Sequence, residues 1–142
     1  MSDGITDAWK GMGHRKTKVF LGGTCNNTTW RDELIPKLRI DYFNPVVEDW
    51  TPECQEEELK QREECDFLLY VLTPRMLGVY SIAEVVDDSN KRPEKTVFCV
   101  MEDGFDKAQI KSLGQVKKMV QNNGAKVFET MEEVAEYFNR SK

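Results

Sequence analysis

The sequence predicts an α/β domain in which a parallel sheet of five strands is covered by helices on both faces. Short apolar runs alternate with helical patterns along the chain, in the order β-α-β-α-β-α-β-α-β-α. The run at 67–72 is apolar throughout, which is typical of a strand covered on both faces. This alternation favours a doubly wound sheet with the flavodoxin-like strand order 2-1-3-4-5.

Each element has a local signal of its own. Apolar runs bounded by glycine, proline or polar residues predict strands at 19–21, 41–47, 67–72, 96–101 and 126–128. Apolar residues spaced by three and four predict helices at about 30–38, 52–64, 81–88, 106–122 and 131–138. Helix starts are indicated by capping residues, in the pairs Thr29 with Asp32, Thr51 with Pro52, Asp106 with Gln109, and Thr130 with Glu133.

Length and composition indicate one domain. Of 142 residues, 39% are apolar, and residues 1–16 show little periodicity, which predicts a flexible N-terminal segment followed by a domain at 17–142. No apolar run approaches the roughly 18 residues of a membrane span, and the N-terminus lacks the layout of a signal peptide. We therefore expect no membrane partner and a cytoplasmic protein.

Charge and cysteine usage argue against two classes of function. The net charge is −5, from 25 acidic and 20 basic residues, which is unfavourable for binding a nucleic-acid polymer. The four cysteines are scattered and the single histidine is His14, so no zinc site of standard spacing is predicted, nor any cofactor. Cys65 and Cys99 are expected in the core, and Cys25 lacks a histidine to activate it as a nucleophile.

The predicted topology places a ligand crevice between strands 1 and 3. Ligands of open doubly wound sheets bind beyond the carboxyl ends of the strands, where the strand order reverses. The loops that leave these strands are residues 22–27 and 73–80. Gly22, Gly23 and Thr24 allow close approach of the backbone to a ligand and offer N–H groups, although a tight turn explains them equally well.

Glu84 follows the second loop, in the first turn of the predicted helix. It either presents a carboxylate to the crevice or forms a capping box with Ser81, whose spacing fits the S-x-x-E pattern. Tyr80 either supports this carboxylate by a hydrogen bond or packs under a ligand. One turn after Glu84, Asp87 and Asp88 are expected to face solvent.

Three segments resemble the nucleoside 2-deoxyribosyltransferase family and its N-glycoside hydrolase relatives. They are Lys-Val-Phe-Leu-Gly-Gly-Thr at 18–24, Cys-Asp-Phe-Leu-Leu-Tyr-Val-Leu-Thr-Pro at 65–74, and Leu-Gly-Val at 77–79 leading to Glu84. The strand–helix order extends the resemblance over residues 18–138. The family reaches its glutamate through a Gly-Val-Gly-Tyr-Glu type segment; here the interval is two residues longer and is closer to a short, divergent branch.

The resemblance implies a double displacement at the anomeric carbon, with Glu84 as the nucleophile and a covalent glycosyl ester as the intermediate. It also implies an acidic proton donor for the departing base, for which Glu58 aligns best and Asp49 and Asp66 are further candidates. Tyr80 would hold Glu84 in place. The implied substrate-binding residues are Gly22, Gly23, Thr24, Asn26, Trp30, Asp49, Trp50, Gly78 and Ser81.

The implied partners are a nucleoside or nucleotide, a nucleobase, and further copies of the chain in a homo-oligomer. Trp30 and Trp50 are both candidates for stacking on the base, and Trp30 is equally explained as a core residue of the first helix. The alternative function is a non-catalytic nucleotide-binding or regulatory domain that uses the same crevice.

Overall fold

The computed structural model describes residues 16–25 and 28–140. Within them, five parallel strands form one sheet in the order 2-1-3-4-5, which confirms the predicted flavodoxin-like fold. The strands are β1 (Lys18–Gly23), β2 (Asp41–Phe43), β3 (Phe67–Leu72), β4 (Thr96–Val100) and β5 (Lys126–Phe128). The α-helices are α1 (Trp30–Leu34), α2 (Pro52–Glu64), α3 (Tyr80–Lys91), α4 (Lys107–Asn122) and α5 (Met131–Arg140).

Two apolar layers hold the helices against the sheet. One face of the sheet packs against Trp30 and Leu34 of α1 and against Val134 and Phe138 of α5, all with at most 1% of their surface exposed. The other layer gathers buried residues of β3, β4, α3 and α4, namely Leu68, Tyr70, Phe98, Val85 and Val120. Because both faces are covered, the central strands are apolar throughout.

The largest differences from the predicted bounds are in β2, α1 and α3. β2 ends at Phe43, not at residue 47, because Pro45 has no N–H for a ladder and the side chain of Asn44 accepts a hydrogen bond from Val46 N at 3.1 Å. α1 ends at Leu34 and continues as a 3₁₀ turn, Ile35–Lys37, which contains Pro36. α3 is longer than predicted at both ends.

Most of the predicted helix caps are confirmed. Thr51 accepts a hydrogen bond from Cys54 N, Asp106 and Gln109 form a reciprocal capping box, and Thr130 accepts from Glu133 N. The cap predicted at Thr29 is wrong. Its backbone (φ −115°, ψ 7°) is not extended, and its side chain makes no capping hydrogen bond.

Three further predictions concern the cysteines, the N-terminal segment and membrane spans. Cys65 and Cys99 are buried, as predicted, and burial raises the pKa of the Cys99 thiol to about 12. Residues 1–15 of the predicted flexible segment lie outside the described residues. In the described part of the chain, none of the helices combines the length and the apolar character that crossing a bilayer requires.

Candidate active site

The two glycines that end β1 are required by the packing of this strand on β3. A Cβ at Gly22 would lie 2.7 Å from the ring of Tyr70, and one at Gly23 would lie 2.0 Å from Val71 O. Gly23 also has a φ of +116°, which L-residues rarely adopt. The amide of Thr24 donates to Val71 O at 2.9 Å, so the prediction that this loop offers its N–H groups to a ligand is wrong for Thr24.

Thr24 joins the two crevice loops. Its hydroxyl oxygen accepts a hydrogen bond from Thr73 N at 2.9 Å, which links the loop after β1 to the loop after β3. Its carbonyl accepts from Trp30 Nε1 at 3.0 Å and from Arg31 Nη1 at 2.7 Å. Arg31 also donates to Leu21 O from Nε and Nη2, and it is buried. The first loop is therefore held from behind by α1.

A cavity of about 320 Å³ opens between these loops, at the carboxyl ends of β1 and β3. This is the size range of small-molecule sites, and its position is the one that the strand order predicts. Its walls include Val46 and Val47 after β2 and Met76 and Leu77 after β3. The predicted site residues that line it are Gly22, Gly23, Thr24, Trp50, Glu58, Gly78, Tyr80, Ser81 and Glu84.

Glu84 is buried at one side of this cavity, with 9% of its surface exposed. α3 begins at Tyr80, its N-cap is Val79, and the cap makes no side-chain hydrogen bond. Ser81 therefore lies inside the helix, and the capping-box alternative for Glu84 is wrong. The earlier helix start also places Glu84 in the second turn, not in the first. The carboxylate of Glu84 therefore does not cap the start of α3.

The environment of Glu84 disfavours its charged form. Burial raises the pKa of Glu84 to about 7, because the charged carboxylate is removed from water. The positive charge of Arg62 opposes this shift, whereas the negative charges of Glu58 and Asp88 add to it. Near neutral pH, Glu84 therefore exchanges between a carboxylate and a carboxylic acid.

Glu58 is the second carboxyl group of the cavity. It lies on α2, is half-buried, and accepts a hydrogen bond from Trp50 Nε1 at 3.4 Å. Burial raises the pKa of Glu58, and this shift is opposed by the Trp50 hydrogen bond and by the charge of Arg62. A raised pKa suits a carboxylic acid that gives a proton near neutral pH. Trp50 is 59% exposed and extends the cavity wall beside Glu58.

A buried charge cluster lies behind Glu84, and sequence reasoning missed it. The predicted exposure of Asp88 is wrong: the residue is 0% exposed. Its carboxylate binds Arg62 Nε at 3.0 Å and Arg92 Nη1 at 2.6 Å, and it accepts from Tyr70 Oη at 2.5 Å. The available signal was spacing, because Arg62 follows Glu58 by four residues and Asp88 follows Glu84 by four, which places each pair on one helix face.

Three predicted site residues do not line the cavity, and a fourth lies outside the described residues. Asp66 precedes β3 and accepts from Lys18 N at 2.9 Å, so it lies at the amino end of the sheet, opposite the cavity. Trp30 is a core residue, and Asp49 lies in an exposed bend and does not line the cavity. Asn26 lies outside the described residues.

The fold and the cavity together define a class of protein: an α/β domain of flavodoxin type whose crevice carries two carboxyl groups with raised pKa. A sequence model of the family described as nucleoside 2-deoxyribosyltransferase like matches residues 16–104, which is more than half of the chain. The chain belongs to the nucleoside 2-deoxyribosyltransferase-like family. No curated protein matches it.

The matched region contains all the secondary-structure elements that form the cavity. It runs from β1 through β4 and includes both Glu58 and Glu84. Membership of this family supports a nucleoside-related role in glycosyl transfer and suggests an enzyme, since the family acts on small-molecule nucleosides.

Proposed function

We propose that the protein breaks the N-glycosidic bond of a nucleoside and passes the sugar to a second nucleobase or to water, with Glu84 as the nucleophile. The observation that carries this proposal is the buried carboxyl group of Glu84, which lies in the cavity, caps no helix, and has a pKa near neutrality. A carboxylate that is partly desolvated is a competent nucleophile toward an electron-poor sugar carbon.

In the first step, a carboxylate oxygen of Glu84 attacks the anomeric carbon while the carbon–nitrogen bond to the base breaks. The electron pair of that bond leaves with the base, and Glu58 gives the base its proton. The transition state carries positive charge on the sugar ring, which the negative charge of Glu84 stabilises. The products are a glycosyl ester on Glu84 and a free base.

In the second step, an incoming base or a water molecule attacks the same carbon and the ester bond breaks. Glu84 leaves as a carboxylate, and Glu58 takes up the proton that the attacking nitrogen or water loses. Both carboxyl groups then have their starting charges. The exchange of roles at Glu58 requires a pKa near the working pH, which its half-buried position favours.

The cavity walls support an unphosphorylated nucleoside as the substrate. Trp50 and the apolar wall residues offer a surface on which a flat base can stack. Among the described residues that line the cavity, Glu58 and Glu84 carry the only charges, and both are acidic. A phosphate group would meet like charges there, with no arginine or lysine in that lining to bind it.

The test is a panel of nucleosides and their 5′-monophosphates, with and without an acceptor base, analysed by chromatography. We expect base exchange or release with nucleosides, and a loss of about 10³-fold or more in kcat for Glu84→Gln. Glu132→Gln, an exposed glutamate of α5, is the matched control and should keep full activity. Unchanged turnover in Glu84→Gln would show that Glu84 is not the nucleophile.

Rapid quenching separates a covalent mechanism from a direct one. We expect peptide mass spectrometry of the quenched wild-type enzyme to find the sugar on the peptide that contains Glu84. Binding of nucleosides by calorimetry with no base released over long incubation would instead support the non-catalytic nucleotide-binding domain.

We also propose that copies of the chain associate. Three neighbouring residues at the cavity rim are strongly exposed for apolar or aromatic side chains: Leu77 (81%), Val79 (68%) and Tyr80 (64%). Exposed apolar patches of this kind are typical of interfaces. Light scattering after size exclusion should show a mass above 16.5 kDa, and a monomer at every concentration would contradict the proposal.

A further inference from the structure

Arg62 contacts both the carboxylate of Glu84 at the cavity and the buried charge cluster behind it. It lies on α2 with 6% of its side chain exposed. Its Nη1 lies 3.7 Å from Glu84 Oε2, while Nε and Nη2 bind the two oxygens of Asp88 at 3.0 and 3.1 Å. Two of the three guanidinium nitrogens are therefore bound by the buried carboxylate of Asp88, and the third faces Glu84.

The fixing of Arg62 has a clear physical basis. Asp88 is 0% exposed and is held in turn by Tyr70 from β3 and by Arg92. On the exposed side, Asp87 accepts a hydrogen bond from Nη2 at 2.9 Å. A forked, bidentate arginine–carboxylate pair sets direction as well as charge. Burial lowers the pKa of Arg62, but its hydrogen bond with Asp88 and the neighbouring negative charges raise it on balance.

The contact with Glu84 differs from the contacts with Asp88. At 3.7 Å it is an ion pair without hydrogen-bond geometry, so the carboxylate of Glu84 keeps its lone pairs available toward the cavity. The positive charge still favours the ionised form of Glu84, against burial and against the charges of Glu58 and Asp88. A nucleophile needs both properties, since it must be charged and must not be fully engaged.

We propose that Arg62 is a positioning residue for the nucleophile, which directs the carboxylate of Glu84 toward the cavity and favours its ionised form, while Asp88 and Tyr70 fix the guanidinium. This proposal rests on the proposed function of Glu84. The groups that face Glu84 are Arg62 and Glu58 from α2, Asp88 from α3 and Tyr70 from β3.

The first measurement follows the titration of Glu84 itself and does not depend on activity. Carbon-13 NMR of protein labelled at the glutamate carboxyl groups identifies Glu84 as the resonance that is lost in Glu84→Gln. We expect Arg62→Met, which keeps length but removes charge, to raise the titration midpoint of Glu84 by one pH unit or more. Arg62→Lys should restore part of this shift because it keeps the charge but loses the fork.

The second measurement is the pH dependence of turnover. In Arg62→Met the acidic limb of kcat/KM should move up by the same amount as the NMR midpoint, and kcat should fall more than KM rises. Lys95→Met is the matched control, because Lys95 donates to Glu63 O and Cys65 O at the end of α2 and does not touch Glu84. It should lower stability and leave the acidic limb in place.

An unchanged Glu84 midpoint in folded Arg62→Met would overturn the proposal, because Arg62 would then be only a structural ion pair. If that variant does not fold, the double variant Arg62→Met, Asp88→Asn is compared with Asp88→Asn alone. The asparagine removes the carboxylate that would otherwise be left buried and unpaired. An unchanged Glu84 midpoint between these two variants would likewise overturn the proposal. If Arg62→Met shifts the Glu84 midpoint but the wild-type protein shows no turnover, the proposed function is overturned. The electrostatic coupling between Arg62 and Glu84 would then still hold.

Discussion

Two adjacent turns of α3 carry buried carboxylates whose charges are compensated to very different extents. The turn at the cavity carries Glu84, whose one ion-pair partner among the described residues is Arg62 at 3.7 Å, and whose pKa is raised to about 7. The next turn carries Asp88, which is completely buried and is bound by Arg62, Arg92 and Tyr70 at 2.5–3.1 Å. α2 repeats the division, because Glu58 lines the cavity and Arg62 lies in the cluster.

The difference separates stabilising charges from charges held for chemistry. A buried carboxylate with several close donors is fully compensated and fixes the helices to each other. A buried carboxylate that is poorly compensated costs free energy in the folded state, and such a cost is found most often where function requires it. Burial alone does not distinguish the two residues; the number and distance of their partners does.

The comparison is tested most strongly at Asp88. We expect Asp88→Ala to lower the free energy of unfolding by about 3–5 kcal/mol, because it leaves buried arginine charge without its partner. Asp87→Ala is the matched control: its side chain is 41% exposed, and its loss should cost about 1 kcal/mol or less. Denaturant unfolding measures both, and equal losses at the two positions would remove the distinction.

Glu84 should respond in the opposite direction. Its pKa is higher in the folded protein than the ordinary value of 4.5, so the folded state binds more protons between about pH 4.5 and 7 and loses stability as the pH rises through that window. Glu84→Gln should therefore stabilise the protein above pH 7, by a quantity on the order of 3 kcal/mol, and the gain should shrink toward pH 4.5. A gain that does not vary with pH would contradict the assignment.

The position of Glu84 could be predicted from the sequence, whereas the burial of Asp88 could not. The alternation of apolar runs predicts the sheet order and hence the crevice, and the position of Glu84 after the β3 loop predicts its access to that crevice. Spacing could not distinguish a capping box from a cavity residue at Ser81 and Glu84, because the helix starts at Tyr80 after Val79, a cap that makes no side-chain hydrogen bond and gives no local signal. The pairing of Asp88 with Arg62 brings together residues 26 positions apart on different helices, and no local pattern specifies it.

Extending the comparison to α2 gives a prediction for Glu58. If it is the proton donor, Glu58→Gln should lower kcat/KM by about 10²-fold with ordinary nucleosides, which need a proton on the leaving base. A substrate whose leaving group is stable as an anion, such as a nitrophenyl deoxyriboside, should lose much less. Equal losses with both substrates would show that Glu58 contributes to substrate binding or to the structure and not to proton transfer. Of the two cavity carboxyl groups, Glu84 alone would then take part in the chemical step.

The smallest expected effect is at Trp50, which separates stacking from hydrogen bonding. Trp50→Leu removes an exposed ring from the cavity wall and should raise KM about five- to tenfold, in line with the roughly 1 kcal/mol of an aromatic contact. Trp50→Phe keeps a ring but loses the 3.4 Å hydrogen bond from Nε1 to Glu58. Because that bond lowers the pKa of Glu58, its loss should move the basic limb of the pH profile upward with little change in KM. If Phe raises KM as much as Leu does, Trp50 acts through Glu58 and not by stacking on the base.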